Sequence, residues 1–149
     1  MNFIRTTSEN IDFTNLVKSL DQDLAIKNGD KNDFYVQFNK IDLIQHVVVA
    51  YESEQAIACG AIKEYDKETM EVKRIFVLPH MRGKGIATWV LNNLEKWAKE
   101  LGYKRCVLET GEKMSEAIAL YKKCNYIRIE NYEPYKYVID SRCFEKKLK

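Results

Sequence analysis

The chain has 149 residues, 46% of them hydrophobic and 31% charged, with a formal net charge of +2 at pH 7. That length favours a single domain, 1–149, around one core, and that balance is the balance of a globular protein. So small a charge leaves no electrostatic footprint for nucleic acid or for a membrane surface, and no apolar run approaches the ~20 residues that span a bilayer.

The opening, "MNFIRTTSENIDF", turns polar too early for a secretory leader, so a cytoplasmic location is expected. Within it "FIRT" reads as a short first strand. From Asp12 the apolar residues Phe13, Leu16, Val17, Leu20 and Leu24 form one stripe of a helix that ends near Asn28-Gly29. The stretch "DKNDFYVQFNKID" has no clear period and reads as a loop or a broken short helix. "HVVVAYE" and "AIACGAIKEY" are rich in β-branched and small apolar residues and bracket "SEQ", the pattern of a hairpin. "DKET" makes the next turn, and "MEVKRIFV" is a further strand stopped by Pro79.

The clearest helix follows. Ile86, Ala87, Val90, Leu91, Leu94, Trp97, Ala98 and Leu101 make a broad apolar face, and Gly102 sits where a left-handed C-terminal cap belongs. Trp89 falls off that stripe and is expected to cover a sheet edge or a neighbour, with an exposed partner contact as the alternative. "KRCVLET" is a strand broken by Gly111. "SEAIALYKKC" is a second helix closed by Asn125, which tolerates the left-handed turn. "YIRIENY" and "SRCFEKKL" end the chain as two strands. This order predicts an α/β (α+β) fold: a mixed, mostly antiparallel central sheet with helices on both faces. The four cysteines, Cys59, Cys106, Cys124 and Cys143, form no C-x-x-C pair, so buried reduced thiols are expected, with neither disulfides nor a metal site.

The joint between "MEVKRIFV" and the long helix is Arg82-Gly83-Lys84-Gly85. A strand feeding a helix leaves the first helical amides unpaired and facing outward, in the positive end of the helix dipole. Glycines let a phosphate approach those amides without a Cβ in the way, and Arg82 and Lys84 add charge. A plain solvated turn is the alternative. Two better-known phosphate motifs do not fit: G-x-x-x-x-G-K-[ST] is absent, and Thr88 stands where G-x-G-x-x-G needs its third glycine.

With those residues in place, the sequence resembles the GNAT superfamily of acetyl-CoA-dependent N-acetyltransferases. The family's [QR]-x-x-G-x-[GA] signature is matched by Arg82, Gly83, Lys84, Gly85, Ile86 and Ala87. Downstream, "LETGEKMSEAIALYKKCNY" resembles its second segment, with the A-x-x-L-Y pattern. The match runs from about Met70 to Tyr126. It departs at Asn125, where the family commonly has glycine, and at Ser115, where some members carry a cofactor-touching asparagine.

The resemblance implies acetyl-CoA as co-substrate, no metal, and a primary amine as acceptor. It implies that the backbone of Ile75, Phe76 and Val77 runs beside the pantetheine arm, in a strand that bulges and splays from the next. Amides from Arg82, Gly83, Lys84, Gly85, Ile86, Ala87 and Thr88 would hold the pyrophosphate. Ser115 and Lys123 would lie near the cofactor, although Lys122 and Lys123 equally suit a helix C-terminus.

A free alkyl amine has a pKa of ~10.4, so deprotonating it at pH 7 costs roughly 4.6 kcal/mol, and a base must take the proton. Glu71, on the same strand as Phe76, is the first candidate, Glu109 the second and His80 a weaker third; Glu71 could equally be paired with Lys73. The CoA thiolate, with a pKa near ~8.5, leaves more easily beside a proton donor. Tyr121, in the family's L-Y position, is the candidate acid, against the alternative of a plain core tyrosine. No cysteine matches a nucleophile position, so direct transfer in a ternary complex is expected.

For the acceptor, Arg74 and Lys73 stand near the slot, Glu109 stands at the end of the next strand, and "NYEPYKYVIDS" supplies Tyr132, Tyr135 and Tyr137. Aromatic walls beside a cation suggest a small amine that also carries a carboxylate, such as an amino acid. A tyrosine-rich rim also suits a dimer face or a peptide groove. Two other readings stay open: acetylation of a protein lysine or N-terminus, and a non-catalytic acyl-CoA-binding module.

Overall fold

Among the described residues seven strands form one sheet in the order β1-β2-β3-β4-β5-β7-β6. They are β1 (Asn2–Thr6), β2 (His46–Glu52), β3 (Gln55–Asp66), β4 (Thr69–Val77), β5 (Arg105–Gly111), β6 (Ile127–Ile129) and β7 (Ser141–Lys147). Among the described residues three α-helices accompany them: α1 (Ile11–Asn28), α2 (Ile86–Glu100) and α3 (Ser115–Lys123). The computed structural model describes residues 1–28 and 43–149. The expected loop over 30–42 and the helix end at Gly29 lie outside the described residues.

All strand pairs are antiparallel except β4–β5. The expected hairpin is β2–β3, turned by Ser53 and Glu54 with φ of 48° and 70°. Two successive positive φ angles give the turn that matches strand twist. The unbroken apolar run of β2 has a simple cause: both of its faces are covered. Val48 and Ala50 join the core beneath α2 and α3, while Val47 and Val49 join the core beneath α1, and all four are fully buried.

α1 is capped by Asn10, whose Oδ1 accepts the Phe13 N–H at 3.0 Å, and its expected stripe buries Phe13, Leu16, Val17 and Leu20. α2 buries Val90, Leu91, Leu94 and Ala98 completely. Each of its larger aliphatic side chains stabilises the fold by about 1.5–3 kcal/mol. Trp89 lies against Phe3 of β1 with ring centroids 5.3 Å apart, so it does cover the sheet edge. Gly102 and Asn125 take the left-handed conformations expected of them, with φ of 95° and 73°. All four cysteines are free and buried.

One strand is shorter than its pattern. "YIRIENY" is strand only over Ile127–Ile129. The reason is Asn131, whose Nδ2 donates to the carbonyls of Tyr135, Val138 and Ser141 at 3.1–3.3 Å. That side chain gathers a loop where the sheet would otherwise continue. Among the described residues, no helix is long and apolar enough to cross a membrane.

Candidate active site

Two irregularities in β4 build the site. The first is a bulge. Cys59 pairs with Phe76 and Ala61 with Lys73, so two steps along β3 face three along β4, and Arg74 takes up the excess with φ of 62°. A bulge inverts the alternation of faces beyond it. Met70 and Val72 pack beneath α2, but Phe76 packs beneath α1, while Ile75 and Val77 turn to the α2 side. Gly60, opposite the bulge, makes room: a Cβ there would meet Ile75 Cδ1 at 2.6 Å and Leu94 Cδ1 at 2.8 Å.

The second irregularity is a splay. β4 and β5 pair only at Thr69–Arg105, Met70–Cys106 and Glu71–Val107. Beyond Glu71 the parallel strands part, and the sheet opens as a V.

The V joins two cavities. The outer one is a cleft between the β4–α2 junction and the start of α3. Ile75, Phe76 and Val77 form one wall, Gly83, Gly85, Ile86, Ala87 and Thr88 its upper end, and Ser115 and Lys123 the opposite side. Gly83 and Gly85 have φ of 80° and 79°, a conformation that favours glycine, and an added Cβ at either would meet nothing within 4 Å. Gly85 is also the N-cap of α2 and so has no side chain with which to satisfy the first helical amides. α3 begins without a side-chain cap as well, at Met114. Two helix N-termini thus face one cleft, an arrangement suited to a diphosphate.

The charged residues of the joint behave differently from the glycines. The Arg82 N–H is directed to the Pro79 carbonyl at 3.3 Å. The Arg82 guanidinium lines the cleft yet turns back on β4, donating from Nε to the Val77 carbonyl at 2.9 Å with Nη2 3.7 Å from Asp23. It braces the turn against its strand. Lys84 lies with Nζ 4.0 Å from Met81 Sδ, and its side chain does not line the cleft. Lys122 does not line it either, and His80 is exposed on the short 3₁₀ turn Pro79–Met81. Lys113, Met114 and Leu20 do line it, although nothing in their sequence setting marks them out.

The inner cavity lies deeper in the V. Glu71, Lys73, Arg74, Glu109, Tyr121 and Tyr135 line it. The Tyr132 phenol donates to Glu71 Oε2 at 2.6 Å, and Lys73 Nζ is 3.7 Å from Glu71 Oε1. The Ser141 hydroxyl donates to Glu109 Oε2 at 2.7 Å. Burial raises the Glu109 carboxyl to about 7, and the nearby Glu71 charge adds to the rise against the opposing Ser141 bond and Lys73 charge. Burial, and next the charge of Glu71, hold the Tyr132 and Tyr135 phenols far above their usual range. Tyr137, expected with these two, is 87% exposed and lines neither cavity.

Tyr121 lines both cavities. Its ring is held 6.0 Å from Tyr126 and 6.5 Å from Phe144. Burial, then the Glu109 charge, keep its hydroxyl protonated well beyond the ordinary phenol range. The sequence does not disclose the organiser of the acid cluster, Asn131, whose three carbonyl bonds shape the loop that carries Tyr132 to Glu71 and Ser141 to Glu109. Among the described residues no group of His, Cys, Asp and Glu side chains is arranged to hold a metal ion.

Comparison with known proteins accords with this geometry. The model of the Acetyltransferase (GNAT) family matches residues 14–126. The uncharacterized N-acetyltransferase YjgM of Escherichia coli is 36% identical over 86 residues, 56% of this chain and 51% of YjgM. The uncharacterized N-acetyltransferase YsnE of Bacillus subtilis is 33% identical over 101 residues, 66% of this chain and 67% of YsnE. The chain thus spans about half the length of the E. coli relative. Among solved structures, an acyl-CoA N-acyltransferase-type chain from Klebsiella pneumoniae superposes with a TM-score of 0.82 at 23% identity, over 99% of this chain and 97% of that one. A GNAT family acetyltransferase from Elizabethkingia anophelis, solved with acetyl-CoA bound, superposes with a TM-score of 0.71 at 18% identity, over 99% and 97%. Matched by the family model across the bulged strand, the glycine joint and the outer cleft, the chain belongs to the GNAT family of acetyltransferases.

Proposed function

We propose that this protein is an N-acetyltransferase that moves the acetyl group of acetyl-CoA to the primary amine of a small molecule, directly, with both substrates bound. The observation that carries the reading is Tyr121, a buried phenol standing where the two cavities meet. One cavity suits a phosphorylated donor and the other an amine. The acetyl-CoA held by the Elizabethkingia structure of the same fold supports the identity of the donor.

The outer cleft fits such a donor. Its left-handed glycines leave open space above uncapped amides, and the β4 edge from Val72 to Val77 has no β5 partner. An extended ligand arm laid along that edge acts as an added strand. When bound, acetyl-CoA supplies an activated acyl carbon, and the remaining work falls to this chain. Lys123 and Ser115 border the donor, and Arg82 fixes the turn.

In the inner cavity a carboxylate must relieve the amine of a proton. Glu109 is well suited, because a base whose pKa is about 7 is matched to neutral pH. Glu71, the first candidate from sequence, is engaged by Tyr132 and lies near Lys73, and its charge helps raise Glu109. We assign Glu109 as the base and Glu71 as its electrostatic partner. Ahead of transfer the ammonium gives one proton to Glu109, which hands it on to solvent. As the N–C bond forms and the C–S bond breaks, the second amine proton passes to Glu109, and the departing sulfur takes a hydrogen bond from Tyr121 before solvent protonates it. No cysteine among the described residues lines either cavity, and burial pushes the Cys59 and Cys106 thiols up to about 12, which favours direct transfer over an acyl-enzyme.

The test is thiol release from acetyl-CoA across a panel of small amines and lysine peptides. Saturable turnover with a small amine is expected. Turnover only on peptides would move the acceptor to protein, and acetyl-CoA binding with no turnover on any amine would leave a binding module.

A further inference from the structure

Arg74 is a costly residue to place where it stands. It is not glycine yet takes φ of 62°, its side chain is 3% exposed, and its Nε is buried without a hydrogen-bond partner. A left-handed non-glycine residue and an unsatisfied buried donor each cost about 1–3 kcal/mol and are retained where function uses them. The bulge explains what is gained. Without it, position 74 would follow Met70 and Val72 into the core beneath α2. With it, Arg74 emerges beneath α1, where Nη1 meets Asp21 Oδ1 at 2.8 Å, and it lines the inner cavity together with Lys73.

We propose that Arg74 is a specificity-determining residue: its unspent guanidinium N–H binds the carboxylate of an acceptor that is a zwitterion, an amine bearing a carboxylate a few atoms away. The cavity has the matching layout. Carboxylates at Glu71 and Glu109 suit the ammonium end, and the buried guanidinium suits the acid end. Asp21 orients the guanidinium through one nitrogen and, being 45% exposed, neutralises it only in part. A guanidinium recognises a carboxylate by geometry as well as by charge. This inference rests on the transferase reading and narrows it to amino-acid-like acceptors.

The experiment compares thiol release from acetyl-CoA with each of the common α-amino acids, the corresponding amino-acid amides and the decarboxylated amines. For the best acceptor, kcat/KM is expected to exceed that of its amide by about ten- to a hundredfold, the worth of a charge-assisted hydrogen bond. Arg74→Gln should collapse that ratio towards one. Asp21→Asn, at a half-exposed position that a folded protein tolerates, should widen it by freeing the guanidinium. A best acceptor that can be amidated without loss overturns the proposal, as does a panel in which no carboxylate-bearing amine is acetylated or an Asp21→Asn protein whose ratio narrows. Failure of acetyl-CoA to bind at all would instead remove the transferase reading, and a calorimetric titration with CoA alone separates the two.

Discussion

Replacing Glu109 by glutamine gives the most direct reading of the site, because its effect on stability and its effect on rate share one cause. The Glu109 carboxyl rises from 4.5 to about 7, first because it is buried. At about 1.4 kcal/mol per tenfold change in acid dissociation, the ionised form is disfavoured in the folded state by about 3 kcal/mol. A group with a raised folded pKa contributes its stability in full below its unfolded value and loses it as pH climbs through the folded value. The native protein should therefore surrender about 3 kcal/mol at this position between roughly pH 4.5 and pH 8.5, while Glu109→Gln surrenders none of it. Urea unfolding of both proteins at the two ends of that range measures the difference directly. Turnover should meanwhile fall by about 100- to 10,000-fold, the usual contribution of a general base, and the acidic limb of kcat/KM near pH 7 should vanish. Glu71→Gln should displace that limb to lower pH without abolishing it, because the Glu71 charge helps raise Glu109. A stability gap between native and Glu109→Gln protein that is the same at both pH values would refute the electrostatic argument. A limb that persists in Glu109→Gln and disappears in Glu71→Gln would return the base to Glu71.

Three further outcomes are expected. Gly85→Glu should abolish CoA binding in calorimetry, since the residue must adopt φ of 79° and its carboxylate would enter the cleft intended for phosphate; unchanged affinity would relocate the donor site. Tyr121→Phe should lower kcat by about ten- to a hundredfold, as loss of one transition-state hydrogen bond does, with KM for acetyl-CoA nearly constant; an unaltered kcat would reduce Tyr121 to packing. Gly60→Ala should destabilise the fold by about 1–3 kcal/mol in denaturant titration and raise KM for acetyl-CoA, because the new methyl must displace Ile75 from the cleft wall; a variant as stable and as active as the parent would show that Ile75 moves freely.

What the sequence discloses is what local chemistry dictates. The stripe from Ile86 to Ala98, the "SEQ" turn, and the glycines before α2 each carry a periodicity or a backbone requirement readable from neighbouring residues. The bulge, which the family resemblance implies for this strand, carries neither in its own residues. No glycine or proline marks it, and an arginine occupies the left-handed position because tertiary contacts on both sides, Asp21 and the Cys59–Phe76 pairing, hold it there. Gly60 looks like one small residue among several in "AIACGAIKEY", and its role depends on Ile75 and Leu94 arriving from other elements. Both carboxylates are visible as letters, but their division of labour follows from burial and from Ser141 and Tyr132, which Asn131 brings in from far along the chain. Arg82, which the sequence offers as positive charge for phosphate, is spent on Val77 and Asp23.

The three residue pairs that join β4 to β5 have a mechanical consequence. Backbone bonding across the middle of the sheet is confined to one end, so the β1–β4 and β5–β7 halves meet like the covers of a book sewn only at the foot of its spine. A ligand arm lying between the open pages supplies the missing stitches. Amides of upper β4 and of β5 should thus exchange with deuterated solvent faster than those of β2 and β3 in the bare protein, and slow together when CoA binds, so that occupancy of the cleft is felt as a stiffening of the whole sheet.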